Sequence, residues 1–197
     1  MCMKSTLLSL AVLAASCAAA ESFVLPPQGV SPYADTEVST NVALRALGDG
    51  PGRKVLDLSL ALLGTPSNCL QVAFGRDADG NGVLDASEAE TVYGWRAGRF
   101  FVEDVAGGRR VLSDPVAGEA GCELRVHVEA GASDRLRRAS LTCGGAPAFA
   151  GLVRTRPTGL LRGSWDMARV TRRGVGEPPS DWVACALESL GLAVMVR

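Results

Sequence analysis

The residues best suited to chemistry stand together in one run, Asp77-Ala78-Asp79-Gly80-Asn81-Gly82-Val83-Leu84-Asp85-Ala86-Ser87-Glu88. Side-chain oxygens occupy its first, third, fifth, ninth and twelfth positions, and glycine occupies the sixth. Alternating ligands converge on one point, the glycine lets the chain bend around it, and Val83 offers its backbone carbonyl at the seventh position. A hard divalent cation taking about six to eight oxygens at flexible geometry suits this set, and calcium suits it best. The expected ligands are Asp77, Asp79, Asn81, the Val83 carbonyl, Asp85 (directly or through water) and Glu88 with both oxygens. Leu84 is apolar where such a loop needs an anchor in a core. Turn-forming Asp-Gly and Asn-Gly pairs followed by a helix cap would also account for Gly80, Asn81, Gly82 and Asp85. That reading leaves Asp77 and Asp79 crowded together with nothing to offset their charge, so the ion is preferred.

Short runs of alternating apolar residues must position this loop. Val38, Thr40, Val42 and Leu44 share one face of a first strand, and Leu56, Leu58 and Leu60 share one face of a second. Leu70 to Phe74 alternates in the same way and leads directly into the loop. On the far side, Asp85 and Glu88 have the spacing of a helix-capping pair, which predicts a short helix over about Ala86 to Val92. Arg96-Ala97-Gly98 predicts the turn of a hairpin joining Val92–Trp95 to Arg99–Val102. In a second hairpin, counting outward from a turn at Ala132 and Ser133 sets Leu124 opposite Leu141, Val126 opposite Ala139 and Cys122 opposite Cys143. Further strands are expected at Phe149–Arg154, Trp165–Thr171, Trp182–Leu187 and Leu190–Val196. Roughly ten short strands and one short helix predict an antiparallel β-sandwich, jelly-roll or laminin-G-like, occupying residues 36–197 as a single domain. Residues 21–35, with Pro26-Pro27, Gly29 and Pro32, read as an extended lead-in.

The acidic loop resembles the calcium-binding loop of EF-hands at every ligand position. A strand rather than a helix leads into it, so it is more similar to the single EF-hand-like loops of exported bacterial proteins, dockerins among them. The resemblance covers these twelve residues and implies calcium ligation. It does not imply a dockerin's partner binding, which uses two loops in a smaller helical module.

The chain opens as an export signal. Lys4 gives a positive start, Leu7 to Ala15 a short apolar core, and Ala18-Ala19-Ala20 small residues at a cleavage site, so residues 1–20 read as a signal peptide. Leu13-Ala14-Ala15-Ser16-Cys17 also resembles a bacterial lipobox, an alternative in which Cys17 is lipidated and anchors the protein at the cell envelope. Its departure is Ala14, where that pattern usually carries leucine. Both readings place the protein outside the cytoplasm, secreted or periplasmic. There, Cys69, Cys122, Cys143 and Cys185 favour disulfides, and four cysteines allow three connectivities. The hairpin register predicts a Cys122–Cys143 bridge, and elimination leaves Cys69 with Cys185.

A formal net charge of −1 provides no electrostatic footprint for nucleic acid or an anionic membrane. His127 is the sole histidine, which excludes a His-rich metal centre. The chain carries neither a Gly-x-Ser-x-Gly elbow nor a phosphate-binding glycine loop. Trp95, Trp165 and Trp182 could form a sugar platform, although so few aromatics are needed first in the core. Two functions fit. One is a calcium-stabilised adhesion or binding module whose partner is a glycan or a cell-surface protein. The alternative is a carbohydrate-active enzyme on a similar sandwich, with two distant carboxylates as its catalytic pair.

Overall fold

Side chains that alternate in polarity at every second residue form ribbons with one apolar face, and two such faces must cover each other. The protein meets that requirement with two sheets. Its structure is a computed structural model that describes residues 20–25, 37–45, 47, 52–64, 68–104, 108–111, 120–130, 137–143, 145–153, 158–173 and 182–191. The signal segment to residue 19 with Cys17, most of the lead-in, the turn at 131–134 and the stretch beyond Gly191 lie outside the described residues.

The elements are β1 (Ala20–Leu25), β2 (Val38–Ala43), β3 (Gly52–Gly64), β4 (Cys69–Gly75), β5 (Ala89–Arg96), β6 (Arg99–Asp104), β7 (Gly108–Val111), β8 (Ala120–Ala130), β9 (Arg137–Cys143), β10 (Ala146–Val153), α1 (Thr158–Arg162), β11 (Met167–Arg173) and β12 (Trp182–Gly191). One six-stranded sheet runs β1-β12-β3-β8-β9-β10, and the other runs β2-β11-β4-β5-β6-β7. All pairings are antiparallel. The expected β-sandwich is therefore the observed fold.

Between the sheets, Leu56, Leu58, Leu60 and Leu62 of β3 lie with Leu124, Val126 and Val128 of β8, and face Leu70, Val72, Phe74, Tyr93, Trp95, Phe100 and Val102. Trp95 meets Phe100 edge-on at 4.7 Å, and Trp165 stacks on Phe74 at 5.0 Å. Both tryptophans thus fill the core, which leaves neither as an exposed sugar platform. The β5–β6 hairpin turns at Ala97 and Gly98, both at positive φ (53° and 73°), the conformation that matches the twist of two-residue hairpins. The second hairpin has the expected register, with Leu124 opposite Leu141, Val126 opposite Ala139 and Cys122 opposite Cys143.

The helix expected after the acidic loop is replaced by a single turn. Glu88 and Ala89 both donate to the Asp85 carbonyl, and β5 begins at once at Ala89. The burial of Thr91, Tyr93 and Trp95, at every second residue of a strand facing the core, overrides the capping signal. Among the described residues the one helix is α1, where sequence periodicity suggested none. It ends on Gly163 at φ 64°, with Ser164 N–H donating to the Gly159 carbonyl and Gly163 N–H to that of Leu160. These are the paired bonds of a Schellman C-cap. β12 also runs unbroken through Leu190, where the sequence suggested two strands, and β1 adds an edge strand from Ala20, the last residue of the expected signal, into the expected lead-in.

Gly94 marks a close approach of β5 and β4. A Cβ there would lie 2.5 Å from the Gln71 Cβ and 2.7 Å from the Leu70 carbonyl oxygen. Gly94→Ala should destabilise the protein by about 1–3 kcal/mol through overpacking, read as a lower midpoint in urea unfolding. An unchanged midpoint would show that the two strands can separate at no expense.

Candidate metal site at the Asp77–Glu88 loop

β4 and β5 are neighbours in one sheet, and residues 76–88 join them where a tight turn would suffice. The connection folds onto the outer face of the sheet. Leu84, fully buried, packs with Ala73, Ala89, Met167 and Val92 in a small second core. Its anchoring role, expected from its position in the run, is the observed one.

Two distant side chains fasten the loop. Asp166 Oδ1 accepts from Asp77 N–H at 2.8 Å, and Asn41 Oδ1 accepts from Leu84 N–H at 3.2 Å. Asp166 is itself held by backbone bonds, its N–H donating to Gly75 and its carbonyl accepting from Leu44. Sequence reasoning missed both residues. They lie 89 and 43 positions from their partners, and only the pairing of β11 with β2 and β4 brings them there.

Within the loop the carboxylates collect backbone donors. Asp77 Oδ1 accepts from Gly80 at 2.9 Å and Asn81 at 3.1 Å, and its Oδ2 accepts from Gly82 at 2.8 Å. Gly80 and Gly82 take positive φ of 72° and 77°, which turns those N–H groups inward. Glu88 reaches back across the loop, Oε1 accepting from Ala78 N–H at 2.8 Å and Oε2 from Asp85 N–H at 3.0 Å. Asp79 Oδ1 accepts from Asn81 N–H at 3.1 Å, while Asn81 donates its amide to Asp79 Oδ2 and accepts from Val83 N–H.

The result is a convergence of three carboxylates. Asp77, Asp79 and Glu88 each present an oxygen within 4.8 Å of the others. Asp85 is not one of that trio, which suits a ligand acting through water. Among the described residues, none of the ion pairs involves these groups. The Gly82 N–H holds the Asp77 carboxyl below the usual carboxylate range, with Gly80 and Asn81 contributing. The N–H groups of Asp85 and Ala78 do the same for Glu88, although the Asp77 charge opposes them. Backbone dipoles therefore stabilise a cluster of negative charge that a divalent cation would neutralise.

The cysteines fall in two groups. Cys122 and Cys143 face each other across β8 and β9 as expected, but all four thiols are unbonded. The pairing of Cys69 with Cys185 is corrected by the fold. Cys185 points into the space between the sheets, whereas Cys69, on β4 of the other sheet, points outward toward Arg96. A sheet stands between them. His127 lies on the outer face of the first sheet, its Nδ1 2.6 Å from Asp57 and its Nε2 3.3 Å from Glu129, a polar surface lattice as its strand position implied.

No protein family matches the sequence, and no curated protein matches it. Among solved structures, the chain is similar to the catalytic domain of a glycoside hydrolase family 131 protein from Coprinopsis cinerea (13% identity, 81% of this chain and 72% of that one, TM-score 0.45). It is also similar to the lectin UEA-II complexed with galactose (8% identity, 87% and 98%, TM-score 0.44) and to the galectin LEC-6 of Caenorhabditis elegans (15% identity, 85% and 95%, TM-score 0.38). Likeness at this level assigns neither family nor activity.

Lowered carboxyl pKa values in the folded state fix the sign of an acid response. The stabilisation is complete above the ordinary carboxylate range and is lost as pH falls through the lowered values of Asp77 and Glu88. Protection factors at Gly82 and Asp85, after allowance for the intrinsic slowing of amide exchange in acid, should fall on acidification before those in β3 or β8 do. Asp77→Ala should speed Gly82 exchange at neutral pH and remove most of its acid dependence. Equal acid dependence in both proteins would refute the assignment.

Proposed function

We propose that this chain is an exported calcium-binding protein, in which a single EF-hand-like loop braces a β-sandwich binding module. Asp77, Asp79, Asn81, the Val83 carbonyl, Asp85 and Glu88 hold one calcium ion. The observation that carries the reading is the convergence of three carboxylates within 4.8 Å, on a loop already fastened to the sheet by Leu84, Asn41 and Asp166. A donor set made of oxygens alone selects a hard cation over a soft one.

The ion serves as a brace. Sensor loops act by moving paired helices apart, whereas this loop runs from strand β4 into strand β5. An ion that binds only the folded chain adds stability by mass action, about 2.7 kcal/mol at a hundredfold excess over its dissociation constant. Calcium should raise the melting temperature and chelator should lower it, while Asp79→Asn combined with Glu88→Gln should remove the difference. Identical melting curves with calcium and chelator, with no heat of binding by titration calorimetry, would end the calcium reading.

The proposed partner is a glycan or a cell-surface protein. Asn41, Gln71 and Arg169 lie half-buried on the outer face of the same sheet, beside the loop, and amide and guanidinium groups suit hydroxyl-rich ligands. A glycan array probed with calcium and with chelator should show calcium-dependent retention. Cleavage of a retained glycan would favour the carbohydrate-active enzyme, and no retention on any glycan would leave a protein partner.

A further inference from the structure

We propose that Cys122 and Cys143 form an ordered thiol–disulfide site that locks β8 to β9, Cys143 taking up a small-molecule disulfide and Cys122 resolving it. The site is independent of the metal reading.

The two residues stand directly opposite each other in an antiparallel pair. Opposed positions in such a pair have Cα atoms about 4.5–5.5 Å apart, within the span of a disulfide. Cys122 belongs to the core and is 3% exposed, whereas Cys143, the last residue of β9, is half-buried at its margin. One sulfur is thus shielded and the other reachable, and each lies beside its partner.

That asymmetry orders the chemistry. Burial, reinforced by Cys143, pushes the Cys122 thiol up from its ordinary pKa and keeps it protonated in neutral solution. The Cys143 thiolate attacks one sulfur of a symmetrical disulfide, forming a mixed disulfide and releasing one thiolate. Cys122 then attacks the Cys143 sulfur, its proton passing to the second departing thiolate. Two protein thiols are oxidised, one small disulfide is reduced to two thiols, and no other reactant enters. Cys69 and Cys185 lack this arrangement. Across their sheets Cys69 meets Arg96 and Arg173, and Cys185 meets Phe23 and Leu58.

The test exposes the folded full chain to oxidised glutathione and maps peptides by mass. The chain should yield a Cys122–Cys143 cross-link, melt about 5–10 °C higher and return to its starting value with reductant. Cys122→Ser should retain a glutathione adduct at Cys143, whereas Cys143→Ser should leave Cys122 unmodified. Should either variant fail to fold, the unaltered chain suffices, because iodoacetamide should label Cys143 at least tenfold faster than Cys122. Equal labelling rates, a glutathione adduct on Cys122, or a stable adduct on Cys143 beside an intact Cys122 would each overturn the proposal.

Discussion

Because side chains along a strand alternate between two faces, shifting any one strand by a single residue would turn its leucines to water and its charges inward. β3 illustrates the constraint, with Leu56, Leu58 and Leu60 enclosed while Asp57 between them meets His127 on the outer face. β8 obeys the same alternation in the facing register, as do β4 and β5 in the other sheet. The interior therefore fixes where each strand begins and ends, and the connections accommodate whatever is left. The acidic loop is one such remainder. It leaves β4 after Gly75 and must return at Ala89, because those residues bound the paired stretch.

Within that span the loop is organised by its own charges. Most polar connections give their backbone donors to water, but here Asp77 and Glu88 take five of them. The same carboxylates that draw the chain into a coil repel one another across it. This tension separates the site from an ordinary turn, in which side-chain oxygens are satisfied without accumulating charge. Leu84, inserted among Ala73, Ala89 and Met167, prevents the loop from relieving the repulsion by lifting off the sheet.

The fold was largely legible in the sequence because its signal is local. Period-two runs identify strands one at a time, and the β8–β9 register follows from counting outward from a turn. The convergence of acidic side chains in the loop was legible for the same reason, since Asp77, Asp79 and Glu88 lie within twelve consecutive residues. What failed was either weak or non-local. Pro157 before and Gly163 after α1 are proper helix boundaries, but five helical residues show no periodicity. The capping pair at Asp85 and Glu88 was a sound local signal that lost to the burial of β5. Asn41, Asp166 and the separation of Cys69 from Cys185 depend on which strands become neighbours, and no short stretch encodes that.

The start of β5 has one further consequence. Glu88 closes the acidic loop, Ala89 enters the small outer core, and Glu90 accepts hydrogen bonds from the Gly159 N–H and the Trp165 indole. Trp165 in turn stacks against Phe74. A buried indole chromophore is therefore tied to a carboxylate only two residues from the end of the loop. The ultraviolet absorption of Trp165 thus senses the carboxylate at the junction where the loop rejoins the sheet, without any attached dye.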